Sequence, residues 1–185
     1  MGRRGFTLIE LMVVMAVGAI LVTLAAPSLY DFILKQRLKA VSAQLVNDLQ
    51  FARSEAAARN QFVRVSLSNT DSLTCYVLFT GAGDNDCGCD RSTICGPAGV
   101  EIRTVQVPRS LQVLLLTTQE PPIFRFDPSN GAMVTGSLDL TGAPAQQFVI
   151  DASIDTPRTL RTEVRLSGRP NVCAPSGSTM SVATC

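Results

Sequence analysis

The chain has 185 residues, 46% of them hydrophobic, and its 16 basic and 15 acidic side chains leave a formal net charge of +1. So balanced a charge offers no bulk attraction for nucleic acid. Histidine is absent, which removes the commonest general base and the commonest metal ligand and argues against an enzyme.

The length suits one domain with an appendage, and the appendage is at the N-terminus. Residues 3–27 read RRGFTLIELMVVMAVGAILVTLAAP. Met1–Gly5 is short and basic through Arg3 and Arg4, and the apolar run opens at Phe6. Leu11–Ala26 carries no charge, and with Phe6–Ile9 it makes about 21 residues, long enough to span a bilayer as a helix. The two arginines before it fit a cytoplasmic N-terminus. LAAP at 24–27 mimics a signal-peptide cut, but Pro27 would then sit just beyond it. Glu10 is the anomaly. An unpaired carboxylate at bilayer depth costs at least a few kcal/mol and usually marks function, and no basic residue lies inside the run.

RRGFTLIELMVV resembles the class III signal of type IV prepilins and type II secretion pseudopilins. The resemblance implies a leader, 1–5, that prepilin peptidase removes between Gly5 and Phe6, and methylation of the new N-terminal Phe6. Glu10 matches the family's acidic residue, which serves assembly by pairing with the N-terminal amine of a neighbouring subunit. A charge partnered only in the filament is buried there at tolerable cost. Loss of Arg3 and Arg4 would take the side-chain net charge from +1 to −1.

The domains expected are the leader 1–5, a transmembrane and filament-core helix 6–27, an amphipathic helix 28–60 and a β-rich periplasmic head 61–185. Pro27 removes an N–H and predicts a kink. Beyond it, Ser28–Asn60 contains neither Gly nor Pro. Leu38, Val41, Leu45, Leu49, Ala52 and Ala56 recur at helical spacing, with Lys39, Asn47, Asp48 and Glu55 read as lying off that stripe. The whole helix, about 54 residues at about 1.5 Å each, would be about 80 Å long. FARSEAAARN at 51–60 resembles a segment of the GspH/FimT/FimU subset of minor pilins and pseudopilins, with Arg53, Glu55 and Arg59 read as a solvated or capping face.

After Asn60 the pattern changes to strands. Segments 62–68, 73–80, 100–107, 110–117, 122–133, 146–153 and 159–168 alternate or run apolar between turn residues, with DPSNG at 127–131 a turn. No second long helix supplies crossovers, so about seven antiparallel strands are expected. The fold class is α+β: a type IV pilin-like fold with a long kinked N-terminal helix packed on an antiparallel sheet head.

Cys75, Cys87, Cys89, Cys95, Cys173 and Cys185 are an even set behind a membrane-targeting segment, and read as disulfides. Sequence does not choose their pairing. The expectation is Cys173 with Cys185, tying down the tail, and the other four among themselves, with Cys87–Cys89 disfavoured by strain. Zinc fits poorly without histidine. Residues 81–99 read as a disulfide-stapled surface loop. Asp84, Asp86 and Asp90 cluster there as calcium ligands do, but Cys87-Gly88-Cys89 interrupts the EF-hand order. No metal or cofactor is expected.

In 159–173, Arg161, Glu163 and Arg165 alternate with Leu160, Thr162 and Val164, so Arg161 and Arg165 share a face, with Arg158 before them and Arg169 after. DNA-uptake members of the resembled family carry Gly-Arg-x-Arg near the C-terminus. Gly168-Arg169 matches its first half and Asn171 replaces the second arginine. DNA contact through Arg158, Arg161, Arg165 and Arg169 is therefore a lesser alternative. No Gly-x-Ser-x-Gly and no phosphate loop appears, and the only lysines, Lys35 and Lys39, lie on the long helix. The expected function is a minor pilin that helps initiate, prime or cap type IV pilus assembly. The alternatives are a GspH-like minor pseudopilin of type II secretion and a FimT-like DNA-binding minor pilin for natural transformation. The implied partners are prepilin peptidase, other minor and major pilins and the inner membrane. The chain would cross that membrane once, with a periplasmic head, before joining a pilus or pseudopilus.

Overall fold

Helix α1 (Leu8–Arg59) is the first element of the computed structural model, which describes residues 7–136 and 145–185, the side chains at positions 24 and 27 excepted. The chain divides into two units, Met1–Gln36 and Arg37–Cys185. The helix ends at Asn60, whose φ of 52° is left-handed, a conformation asparagine tolerates better than most residues. Its second half has no break because Ser28–Arg59 lacks Gly and Pro, and Leu38, Leu45, Leu49, Ala52 and Ala56 are fully buried in the head's core.

The head has nine strands among the described residues: β1 (Val63–Asn69), β2 (Leu73–Thr80), β3 (Val100–Pro108), β4 (Leu114–Leu116), β5 (Ile123–Phe126), β6 (Met133–Val134), β7 (Gln147–Asp155), β8 (Arg158–Arg165) and β9 (Pro170–Cys173). They form two sheets, ordered β3-β2-β1-β5-β6 and β4-β7-β8-β9, and every pairing is antiparallel. The α+β class is as expected. The strand expected over 110–117 is different. A short 3-10 turn, Arg109–Leu111, and left-handed Gln112 precede a three-residue β4, because the chain is crossing from one sheet to the other. The Leu115 N–H donates to the buried Thr74 hydroxyl of β2 at 3.1 Å, closing that seam. Strand β9 was not expected. Its first residue is Pro170, on the sheet's edge, where a missing N–H costs no ladder bond.

One core lies between α1 and both sheets. Phe124 of β5 packs on Phe126 at 5.5 Å and on Phe148 of β7 at 4.6 Å, so aromatic contact joins the two sheets. A second, smaller cluster lies elsewhere: Cys75, Val77 and Phe79 of β2 pack with Cys87, Cys89 and Ile123. Strand β2 is thus buried on both faces, which explains why LTCYVLFT runs apolar rather than alternating. The edge of β7 beyond β4 is covered by a side chain. Gln119 donates to the Gln147 carbonyl at 2.5 Å and accepts from the Val149 N–H at 2.7 Å, replacing a strand neighbour.

Asp48 corrects the stripe read from sequence. Positions 45, 48, 49 and 52 are spaced to share one helical face, and Asp48 is only 1% exposed. Its carboxylate accepts from the Tyr76 hydroxyl at 2.7 Å and from Arg103, whose guanidinium lies over Phe51. Burial first, and then the Asp48 carboxylate, pushes the Tyr76 hydroxyl well above its ordinary range. Tyr76→Phe is expected to lower stability by about 1 kcal/mol, since Arg103 still partners Asp48. Asp48→Ala, which strands the buried phenol, should cost more, about 3 kcal/mol. Urea unfolding of the two variants would show that order.

Candidate functional site

Two regions carry the residues singled out from sequence. The first is the start of α1. Gly5 and Phe6 lie outside the described residues. Thr7 is the helix N-cap: its hydroxyl accepts from the Glu10 N–H at 3.3 Å, and Glu10 Oε2 accepts from the Thr7 N–H at 3.4 Å and the Thr7 hydroxyl at 3.3 Å. This is a capping box, Thr-x-x-Glu, and its signal was in the sequence. It gives Glu10 a local role in starting the helix while its carboxylate remains at the surface. Beyond it, Leu8, Ile9, Leu11, Met12 and Met15 are all more than half exposed, as are Ile20, Leu21 and Val22. Among the described residues no single helix is long and apolar enough to cross a membrane. Leu8–Thr23 and Ser28–Arg59, bent by 41° across the segment that holds Pro27, pass that test together.

The second region is the head. Strand β8 carries Arg158, Arg161 and Arg165, and all three pair with carboxylates. Arg161 binds Asp151, its register partner on β7, through Nε and Nη2 at 2.8 Å each. That bidentate pair raises the Arg161 pKa. Arg158 pairs with Asp155 across the β7–β8 turn and holds that carboxyl below its usual range. Arg165 lies 3.3 Å from Glu163, which is only 7% exposed. Arg169 is exposed and has no ion pair among the described residues.

Arg53 departs from the solvated face expected of it. Its Nε donates to the Gly131 carbonyl at 2.9 Å, tying α1 to the β5–β6 turn. Gly131 and Gly168 both have positive φ, and Gly168 sits against that same carbonyl. The glycine of the Gly168-Arg169 pair is therefore a packing requirement. Glu55 and Arg59 form an i,i+4 ion pair at 2.6 Å.

The six cysteines form Cys75–Cys89, Cys87–Cys95 and Cys173–Cys185. The first two staple residues 81–99 over the outer face of β2, supplying half of the second cluster. Arg64, nearly buried, holds the loop's entry by donating to Asp84 at 3.0 Å, to the Ala82 carbonyl at 2.9 Å and to the Gly81 carbonyl. Asp86 accepts from the Gly83 N–H at 2.8 Å. Asp84 and Asp86 thus serve the loop's own fold. Among the described residues, Glu163 with Cys173 and Cys185 is the one group whose ligand-type atoms gather, and its sulfurs are already joined.

Two family models match the chain. The prokaryotic N-terminal methylation motif covers residues 1–26, and the type II transport protein GspH covers residues 42–168. No curated protein and no solved structure matches. The methylation motif spans the N-terminal arginines and the exposed apolar run, and the GspH match takes in the helix from Ser42, strands β1 to β8 and the stapled loop. That family is structural rather than catalytic, and membership implies processing by a prepilin peptidase and assembly with other pilins or pseudopilins. A type IV prepilin-like chain with a pilin-like α+β head, this protein belongs to the family of the type II transport protein GspH.

Proposed function

We propose that this protein is a minor pilin that helps initiate, prime or cap a type IV pilus, anchored by its helix and recognising neighbouring subunits with its head. The observation that carries the reading is the exposure of α1 before Pro27. A helix apolar all round needs lipid or other helices about it, and here every large apolar side chain from Leu8 to Val22 is more than half exposed. Lipid would cover it before assembly and neighbouring helices afterwards. After cleavage at Gly5, the amine of Phe6 on a neighbouring subunit would neutralise Glu10, whose carboxylate is free to leave Thr7. The inner membrane, crossed once, is the place of residence before assembly.

A second reading, a minor pseudopilin of type II secretion, is favoured by the description of the matched family. Uptake of DNA gains least, because Arg158, Arg161 and Arg165 already face carboxylates. Deletion in the native host separates the three. Fewer surface pili with protein secretion intact is the expected result. Lost secretion with normal piliation would transfer the protein to the pseudopilin reading, and lost DNA uptake alone would transfer it to the third.

A further inference from the structure

The groove between α1 and the β5–β6 turn has a chemistry that its fold does not consume. It measures about 380 Å³ and is lined by Gln50, Arg53 and Ser54 of the helix and by Ser129, Asn130 and Gly131 of the turn, with Ala57 and Pro128 at its margin. Arg53 is fixed there by one bond, Nε to the Gly131 carbonyl, and its two terminal nitrogens have no partner among the described residues. The Asn130 side-chain oxygen accepts from the Ala132 N–H at 2.8 Å, and its amide NH₂ is a second donor on the groove's lining. Gln50 is exposed and carries a third donor, its side-chain amide. Among the described residues no carboxylate lines this groove; Asp127 of the same turn is engaged by the Ser129 N–H and hydroxyl. A larger groove over β7 and β8 contains Asp151 and Asp155, and a smaller one beside Ile123 contains Asp84.

We propose that this groove is a carboxylate-binding subsite that receives an Asp or Glu side chain from a neighbouring protein subunit. With Nε already engaged, Arg53 offers its Nη1/Nη2 edge, one of the two edges that can meet both oxygens of a carboxylate at once. One cation matches one singly charged group. A nucleic-acid backbone needs a row of cations, and the β8 arginines that would extend one are paired with Asp151, Asp155 and Glu163. The inference rests on the reading of the chain as a filament subunit and names the chemistry of one of its head contacts.

The test uses the full chain in its native membrane with a photo-crosslinking amino acid at Ser129, on the groove's edge. A second strain carries the same label at Leu11 on the exposed helix, which reports incorporation beside other subunits. The expected result is a Ser129 adduct whose contact peptide contains Asp or Glu. Gln50→Glu supplies the groove with its own carboxylate and leaves the Arg53–Gly131 bond in place, and it should reduce that adduct about tenfold, equivalent to about 1.4 kcal/mol. Arg53→Gln should do the same. Leu11 adducts that persist while the Ser129 adduct is absent, or is indifferent to Gln50→Glu, would overturn the subsite alone. An adduct with nucleic acid at Ser129 would also overturn it. Absence of adducts at both positions would overturn the filament reading and the subsite with it.

Discussion

Gly168→Ala will destabilise the head by about 3 kcal/mol or more, the sum of an unfavourable backbone conformation and a clash that has nowhere to go. Gly168 has a φ of 72°, and a Cβ built on it would lie 1.8 Å from the Gly131 carbonyl oxygen. That oxygen is held in place by Arg53 Nε at 2.9 Å, and the adjoining chain is held by the Met133 N–H bonded to the Leu166 carbonyl at 3.1 Å. Retreat of either glycine would break the junction of α1, the β5–β6 turn and the β8–β9 turn. Gly177→Ala is the control. Gly177 has a φ of 86° but nothing within 4 Å of the Cβ position, so it should show only the backbone cost, about 1 kcal/mol. Urea unfolding of both variants measures the difference. Equal midpoints would mean that the Gly168 contact relaxes freely.

Removing Cys75–Cys89 by the double change to serine should cost about 3 kcal/mol through the closed-loop term alone. A further loss comes from the outer face of β2. Val77 and Phe79 are fully buried there and depend on the stapled loop for cover. The same double change at Cys173 and Cys185 frees only the tail, whose Met180 still reaches the main core. Protection of β2 amides from hydrogen exchange should therefore fall in the first variant and hold in the second. The reverse order would mean that the loop does not stabilise the sheet it covers.

The two regions differed in how far sequence revealed them. The stripe Leu38, Leu45, Leu49, Ala52 and Ala56 was legible because helical spacing depends only on the local chain, and all five are buried. The burial of Asp48 is not legible locally, because its partners Tyr76 and Arg103 are far away in sequence. The apolar run of β2 was recognised as a strand, but nothing local announced that residues 81–99 would cover its second face. Arg53 looked solvated because its acceptor, Gly131, is 78 residues away. The capping box at Thr7 and Glu10 is the opposite case, a pattern complete within four residues of chain. At β8 the row of arginines was visible in the alternation, while the carboxylates facing Arg158 and Arg161 came from β7 and its turn and needed the register to be found.

The most direct test of the account is the intact mass of the protein extracted from the membrane of its native host, together with fragmentation of its N-terminal peptide. The expected result is a chain lacking Met1–Gly5 that begins at Phe6 bearing one methyl group, with Glu10 and the whole of α1 retained. A chain that still begins at Met1, or one cut after Ala26 so that the apolar helix is lost, would contradict it.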